Sequence, residues 1–131
     1  MPTSLLAGVA RSTPALLRAY TVSKRAARVG FEWQDLDGVI DKLHEELAEV
    51  KAAMASGSET ELASEIGDLL FTVVNIARWL GVEPEEALRT MVDRFTDRFQ
   101  HMELHATKPL GELDTKEWDD LWKASKRAQK A

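Results

Sequence analysis

Five stretches of the chain repeat apolar positions every three or four residues, and each is bounded by residues that start or stop helices. Thr13-Pro14 reads as an N-cap followed by a first-turn proline, opening a helix that ends at Gly30. Phe31 to Leu36 is a connector, and Asp37 is placed to cap a second helix carrying Lys42 to Val50. Ser58 with Glu61 three residues later forms a capping box for a third helix, which Gly81 terminates. Glu83-Pro84 starts a fourth, running to about Glu103. Beyond the linker Lys108-Pro-Leu-Gly111, Asp114 with Glu117 caps a last, shorter helix. No run alternates with the period of two that marks a strand. The pattern predicts an all-α fold, an antiparallel four-helix bundle with an additional short C-terminal helix.

The third helix breaks its own apolar pattern in an ordered way. Glu61, Glu65, Asp68, Thr72 and Asn75 follow one another at spacings of four, three, four and three, which is one row on a helix. Beside that row lie Leu62, Ile66, Leu69, Leu70, Phe71, Val73, Val74, Ile76 and Ala77, so most of the circumference is apolar. Glu65 and Asp68 are therefore expected to point into a packed interior. Uncompensated anions there are costly, so protonation or a cation must offset them.

A second acidic pair mirrors the first. Counting from Gly57 within Ser56-Gly57-Ser58, Glu49 and Glu65 are each 8 residues away and Glu46 and Asp68 each 11. If the chain doubles back at the glycine, a helical rise of 1.5 Å per residue places both pairs ~12–16 Å from the turn. Four carboxylates then face one another, and an all-oxygen ligand set favours Mg²⁺ or Mn²⁺. Taken alone, Glu46-Leu-Ala-Glu49 is an ordinary solvated helix face. The matched spacing is what turns it into a candidate metal site.

Composition adds limits. At 131 residues the chain is read as one domain, and its 44% hydrophobic content supports a modest core. A net charge of −5 argues against a nucleic-acid backbone as partner, which requires a basic surface. Leu5-Leu-Ala-Gly-Val-Ala10 is too brief for an export signal or a membrane span. Cysteine is absent, as suits a reducing compartment, so the expected location is the cytoplasm, with residues 1–12 a loose lead-in. The strongly apolar helix faces predict self-association.

Lys42-Leu-His-Glu-Glu-Leu-Ala-Glu49, followed by Glu65-Ile-Gly-Asp-Leu-Leu-Phe-Thr-Val-Val-Asn-Ile-Ala-Arg-Trp-Leu-Gly81, resembles the ExxE…ExxD signature of the MazG nucleoside triphosphate pyrophosphohydrolases. Lys24-Arg-Ala-Ala-Arg-Val-Gly-Phe-Glu-Trp33, Pro84-Glu-Glu-Ala-Leu88, Arg94-Phe-x-x-Arg-Phe99 and Trp122-x-x-x-Lys126 extend the likeness, which is closest to the C-terminal catalytic half of two-domain members. The resemblance implies a bundle of the MazG type, a homodimer, and Mg²⁺-dependent hydrolysis of nucleoside triphosphates to monophosphate and pyrophosphate as nucleotide-pool house-cleaning. It assigns Glu46, Glu49, Glu65 and Asp68 as metal ligands. A cation there neutralises the triphosphate and acidifies water.

Around that centre the residues keep two readings each. Glu45, about 40° from Glu49 on the wheel, is an outer ligand or general base, or a surface partner for lysine. Lys42 begins the family's nucleotide-binding segment, yet by itself it is an i,i+4 partner of Glu46. Glu61, on the acidic row, is a candidate substrate contact, though its capping-box position accounts for it without chemistry. Arg94 and Arg98, one turn apart, suit phosphate oxygens, with pairing to Asp93 and Asp97 as the plain alternative. Arg94 replaces the family's lysine. Trp122 and Lys126 match nucleotide contacts of the family, while Trp118 reads as packing. His44, His101 and His105 match no triad or zinc spacing. Competing functions are a narrower dUTP, dCTP or phosphoribosyl-ATP pyrophosphohydrolase on the same scaffold, and a non-catalytic helical interaction module. A di-iron carboxylate bundle is the third, and the two Glu-x-x-His motifs it needs are missing.

Overall fold

The computed structural model describes residues 3–130. They form five α-helices: α1 (Ala15–Arg28), α2 (Leu36–Ser56), α3 (Glu59–Trp79), α4 (Pro84–His105) and α5 (Thr115–Lys130), with one 3₁₀ turn at Leu110–Glu112. Among the described residues there is no strand. The chain folds as two compact units, Met1–Ala87 and Leu88–Ala131.

In the first unit α2 and α3 form a hairpin, and α1 packs on α3. Gly57 makes the turn at φ 72°, a left-handed conformation open to glycine at little cost. Ser58 Oγ accepts from the Glu61 backbone N–H at 3.2 Å, half of the expected capping box. The other half is replaced: the Glu61 carboxylate accepts from Ser56 Oγ at 3.1 Å and so clamps the turn from both sides.

Two helix starts are shifted from the sequence reading. The cap of α2 is Asp35, not Asp37, because Asp35 has the extended backbone (φ −156°, ψ 170°) from which its carboxylate reaches Gly38 N–H at 2.8 Å. Asp37 falls in the first turn. Pro14 at ψ 137° precedes α1 rather than entering it, and its carbonyl accepts from Arg18 N–H at 2.9 Å. Within the stretch that leads into α1, Arg25 donates to the carbonyls of Leu5 (3.4 Å) and Ala7 (2.6 Å).

The core of this unit is narrow. Val39, Ala53 and Val74 are buried, alongside Glu46, Thr72 and Asn75. The polar row of α3 enters the interior only in its C-terminal half, where Thr72 and Asn75 donate to the carbonyls of Asp68 and Phe71, both at 2.9 Å. Here the expectation for the acidic pair is corrected: Asp68 is exposed and Glu65 half-buried, while Glu46 on α2 is 3% exposed. The reason is visible on α3 itself, where Ile66, Leu70, Phe71 and Val73 are also exposed. The apolar circumference is only partly covered along that stretch.

At the far end of the hairpin a polar network fastens the α1–α2 connector to α3. Arg78 forms a two-pronged ion pair with Glu32 and donates to Asn75 Oδ1 at 2.9 Å, and Trp79 Nε1 donates to Glu32 Oε1 at 3.0 Å. The Arg78 guanidinium holds the Glu32 carboxyl below the usual carboxylate range, against the opposing effect of burial.

In the second unit α4 and α5 run antiparallel, since Phe95 meets Trp122 (centroids 5.9 Å apart) while Phe99 meets Trp118 (6.4 Å). The α5 start carries a complete capping box, with Glu117 N–H on Asp114 Oδ1 at 2.8 Å and Asp114 N–H on Glu117 Oε1 at 3.1 Å. At 16 residues α5 exceeds the 14 of α1, so the C-terminal helix is not the short one.

Candidate metal centre

The hairpin register follows from Gly57. With the turn fixed there, equal counts on either side bring Glu46 and Glu49 of α2 against Glu65 and Asp68 of α3. Each offers an oxygen, and these atoms all lie within 4.8 Å of one another. Such closeness between anions is unfavourable without a proton or a cation between them. The neighbouring Glu65 carboxyl first, and then the charge of Glu46, hold Glu49 above the usual carboxylate range.

Two oxygens in the cluster, Glu46 Oε2 and Glu65 Oε2, are buried and have no hydrogen-bond partner. A buried acceptor left without a donor costs about 1–3 kcal/mol, more when charged. The donor set, oxygen only and anionic, together with those two orphans fits a hard divalent cation. The other Glu46 oxygen is occupied by Lys42 Nζ at 3.0 Å.

The remaining sequence assignments separate cleanly. Lys42 takes its plain reading in this state, held by Glu46 and, at 3.6 Å, by Glu45; Glu46 beside it raises its pKa. Glu45 is exposed and stands outside the four-carboxylate group. Glu61 serves the turn. In the second unit Arg94 and Arg98 make no ion pair with Asp93 or Asp97. Instead the Arg98 guanidinium lies 5.1 Å from the Trp122 ring centroid. Arg94 touches Met91 Sδ at 3.2 Å, and Lys126 is exposed.

Sequence reasoning missed two features. The Glu32–Arg78 pair joins residues 46 apart, and the available signal was that the polar row of α3 continues at helical spacing from Asn75 to Arg78. The second is Gln129, which contacts both arginine positions of α4. No periodicity marks it.

A helical hairpin that gathers two carboxylate pairs is a candidate oxygen-ligand metal site in an all-α protein. The family model of the MazG nucleotide pyrophosphohydrolase domain matches residues 34–103, and the chain belongs to that family. It is 42% identical over 116 residues to the nucleoside triphosphate pyrophosphohydrolase/pyrophosphatase MazG of Thermotoga maritima, covering 86% of this chain and 44% of that protein. With the nucleoside triphosphate pyrophosphohydrolase of Escherichia coli K12 it shares 40% identity over 131 residues, 96% of this chain and 50% of the relative. A phosphoribosyl-ATP pyrophosphatase of Pelotomaculum thermopropionicum is 33% identical over 61 residues, 47% of this chain and 62% of its own length. The chain thus spans about half the length of the two MazG relatives.

Proposed function

We propose that this domain hydrolyses nucleoside triphosphates, ribo- or deoxyribo- and including aberrant ones, to monophosphate and pyrophosphate, with Mg²⁺ as cofactor and Mn²⁺ able to replace it. The observation that carries this reading is the group of four carboxylates within 4.8 Å, two of whose oxygens are buried without a partner. The names of the Thermotoga and Escherichia relatives support the substrate class.

A divalent cation supplies charge neutralisation and Lewis-acid activation of water. Glu46, Glu49, Glu65 and Asp68 are its ligands in this proposal. Glu45, exposed and only loosely paired to Lys42, serves as outer ligand or general base. Lys42 exchanges its carboxylate partner for a phosphate oxygen, whereas Glu61 is assigned to the turn. Arg94, Arg98, Trp122 and Lys126 contact the nucleotide, an assignment supported by the motif resemblance. The exposed apolar side chains of α3 support a homodimer, within which the helices complete a bundle of the MazG type. No described helix is long and apolar enough to cross a membrane. The lack of cysteine supports action in the cytoplasm.

The test is pyrophosphate release from a panel of NTPs, dNTPs (dUTP and dCTP among them) and phosphoribosyl-ATP, with Mg²⁺ and with chelator. Metal-dependent turnover of one or more nucleoside triphosphates is expected. Turnover of phosphoribosyl-ATP alone favours the narrower enzyme, and Mg²⁺ binding without hydrolysis of any nucleotide rejects an enzyme altogether.

A further inference from the structure

Gln129, in the last turn of α5, engages both clamp arginines of α4 through one side-chain amide. Its Oε1 accepts from Arg98 Nε at 2.7 Å, and its Nε2 donates to the main-chain carbonyl of Arg94 at 3.1 Å. The second bond fixes the amide against the α4 backbone, so the first has a fixed origin. Arg98 is then constrained twice: its Nε edge is taken by Gln129, and one face of its guanidinium lies over Trp122, 5.1 Å from the ring centroid.

What is left is informative. A guanidinium carries five N–H donors in one plane. With Nε engaged, the two terminal nitrogens remain, and neither has a hydrogen-bond partner among the described residues. An arginine free in solution disperses its fork over many rotamers, and that freedom is lost on binding. Here two contacts hold the fork beforehand. The holder is also neutral. A carboxylate at the same place would neutralise the cation that a phosphate needs.

We propose that Gln129 is a positioning residue for Arg98, presenting its terminal nitrogens to the phosphate chain of the nucleotide. This rests on the reading that Arg98 contacts the triphosphate. The experiment compares the intact protein with Gln129→Met, Gln129→Glu, Arg98→Ala and the double variant Gln129→Met/Arg98→Ala. KM and kcat for ATP are measured with Mg²⁺, together with calorimetric Kd for inorganic tripolyphosphate, which lacks a base. Methionine keeps the length and helix preference of glutamine while removing both hydrogen bonds.

Gln129→Met is expected to raise KM and the tripolyphosphate Kd roughly three- to tenfold, the equivalent of one neutral hydrogen bond, with kcat nearly unchanged. In the Arg98→Ala background the same substitution should have no further effect. Gln129→Glu should weaken binding more than Gln129→Met, although it restores a stronger contact to Arg98. If Arg98→Ala weakens binding but Gln129→Met adds its full factor on top, the positioning role is overturned and the parent reading stands. If Arg98→Ala leaves KM and Kd unchanged, both fall. A Gln129→Glu variant that binds like wild type also overturns the proposal, since a competing carboxylate would then be harmless.

Discussion

The two antiparallel helix pairs of this molecule are built from opposite materials. The α2–α3 hairpin approaches closely over small buried residues, Val39, Ala53 and Val74, and gathers four carboxylates within 4.8 Å. The α4–α5 pair is held by large rings and a guanidinium: Phe95 on Trp122, Phe99 on Trp118, and Arg98 over Trp122. In the first, like charges oppose the packing that brings them together. In the second these ring and cation–π contacts are attractive. The comparison teaches where each pair sacrifices stability. A site whose polar groups conflict with one another is expected to be functional, because such strain persists only when the surrounding structure enforces it.

The largest effect should come from neutralising one of the four acids. Asp68→Asn or Glu65→Gln is expected to lower pyrophosphate release by more than about 100-fold, since even outer-shell partners of metal ligands are worth 10–100-fold. The same variants should melt at an equal or higher temperature than wild type in chelator, because a like-charge contact has been relieved. Near-normal turnover in Asp68→Asn would sink the site assignment. A clear loss of chelator-state stability would instead show that the carboxylates support the hairpin, which dissolves the contrast with α4–α5.

Next in size is the fastening at the other end of the hairpin. Glu32→Gln leaves the largely buried Arg78 without its counter-charge, and about 3 kcal/mol of stability should be lost on denaturant unfolding. Its pH dependence has a definite sign. Arg78 depresses the Glu32 pKa in the folded state, so the stabilisation is present above the ordinary carboxylate value of about 4.3 and is lost as pH falls through the lower folded value. Wild type should therefore lose stability over that acid window more steeply than Glu32→Gln. Parallel curves would assign the pair no role.

The cation supplies the third test. Mg²⁺ binding only the folded cluster should stabilise the protein by about 2.7 kcal/mol at a hundredfold excess over Kd. The shift should vanish in Glu65→Gln yet survive in Arg98→Ala. If saturating Mg²⁺ leaves the melting temperature of chelator-treated protein unmoved and calorimetry finds no binding, the hairpin is not a metal site.

The contrast also explains what could be read from the sequence. The acidic hairpin was legible because its geometry is local arithmetic: a glycine turn plus equal counts along two helices places Glu46, Glu49, Glu65 and Asp68 together. The depth of each acid was not legible, since it depends on what covers α3. A row that reads as interior left Asp68 exposed because Ile66, Leu70 and Val73 beside it are only partly covered. Helix starts shifted by a residue or two at Asp35 and Pro14, where the backbone conformation decides between neighbouring candidates. Glu32 and Gln129 escaped because their partners are 46 and 31 residues away and no period connects them.

The smallest expected effect decides what the aromatic pair is for. Arg98→Ala should weaken every triphosphate by a similar factor, since all carry the same phosphate chain and a lost charge-assisted contact costs about 1.5–3 kcal/mol. Trp122 has two possible tasks that predict different patterns. As a base platform it reads the ring presented, so Trp122→Ala should reorder the nucleotides, at about 1–3 kcal/mol by analogy with single-stranded nucleic acids. As the support under Arg98, it should reproduce the uniform loss of Arg98→Ala and add little to it in the double variant. The structure shows the guanidinium already over the indole, 5.1 Å from its centroid, which leaves less of the ring for a base. Measuring kcat/KM for Trp122→Ala, Arg98→Ala and the pair across the nucleotide panel separates the tasks. A changed ranking keeps Trp122 as a base contact; an unchanged ranking with non-additive loss makes it part of the phosphate clamp. If only the melting temperature falls, the ring is packing alone.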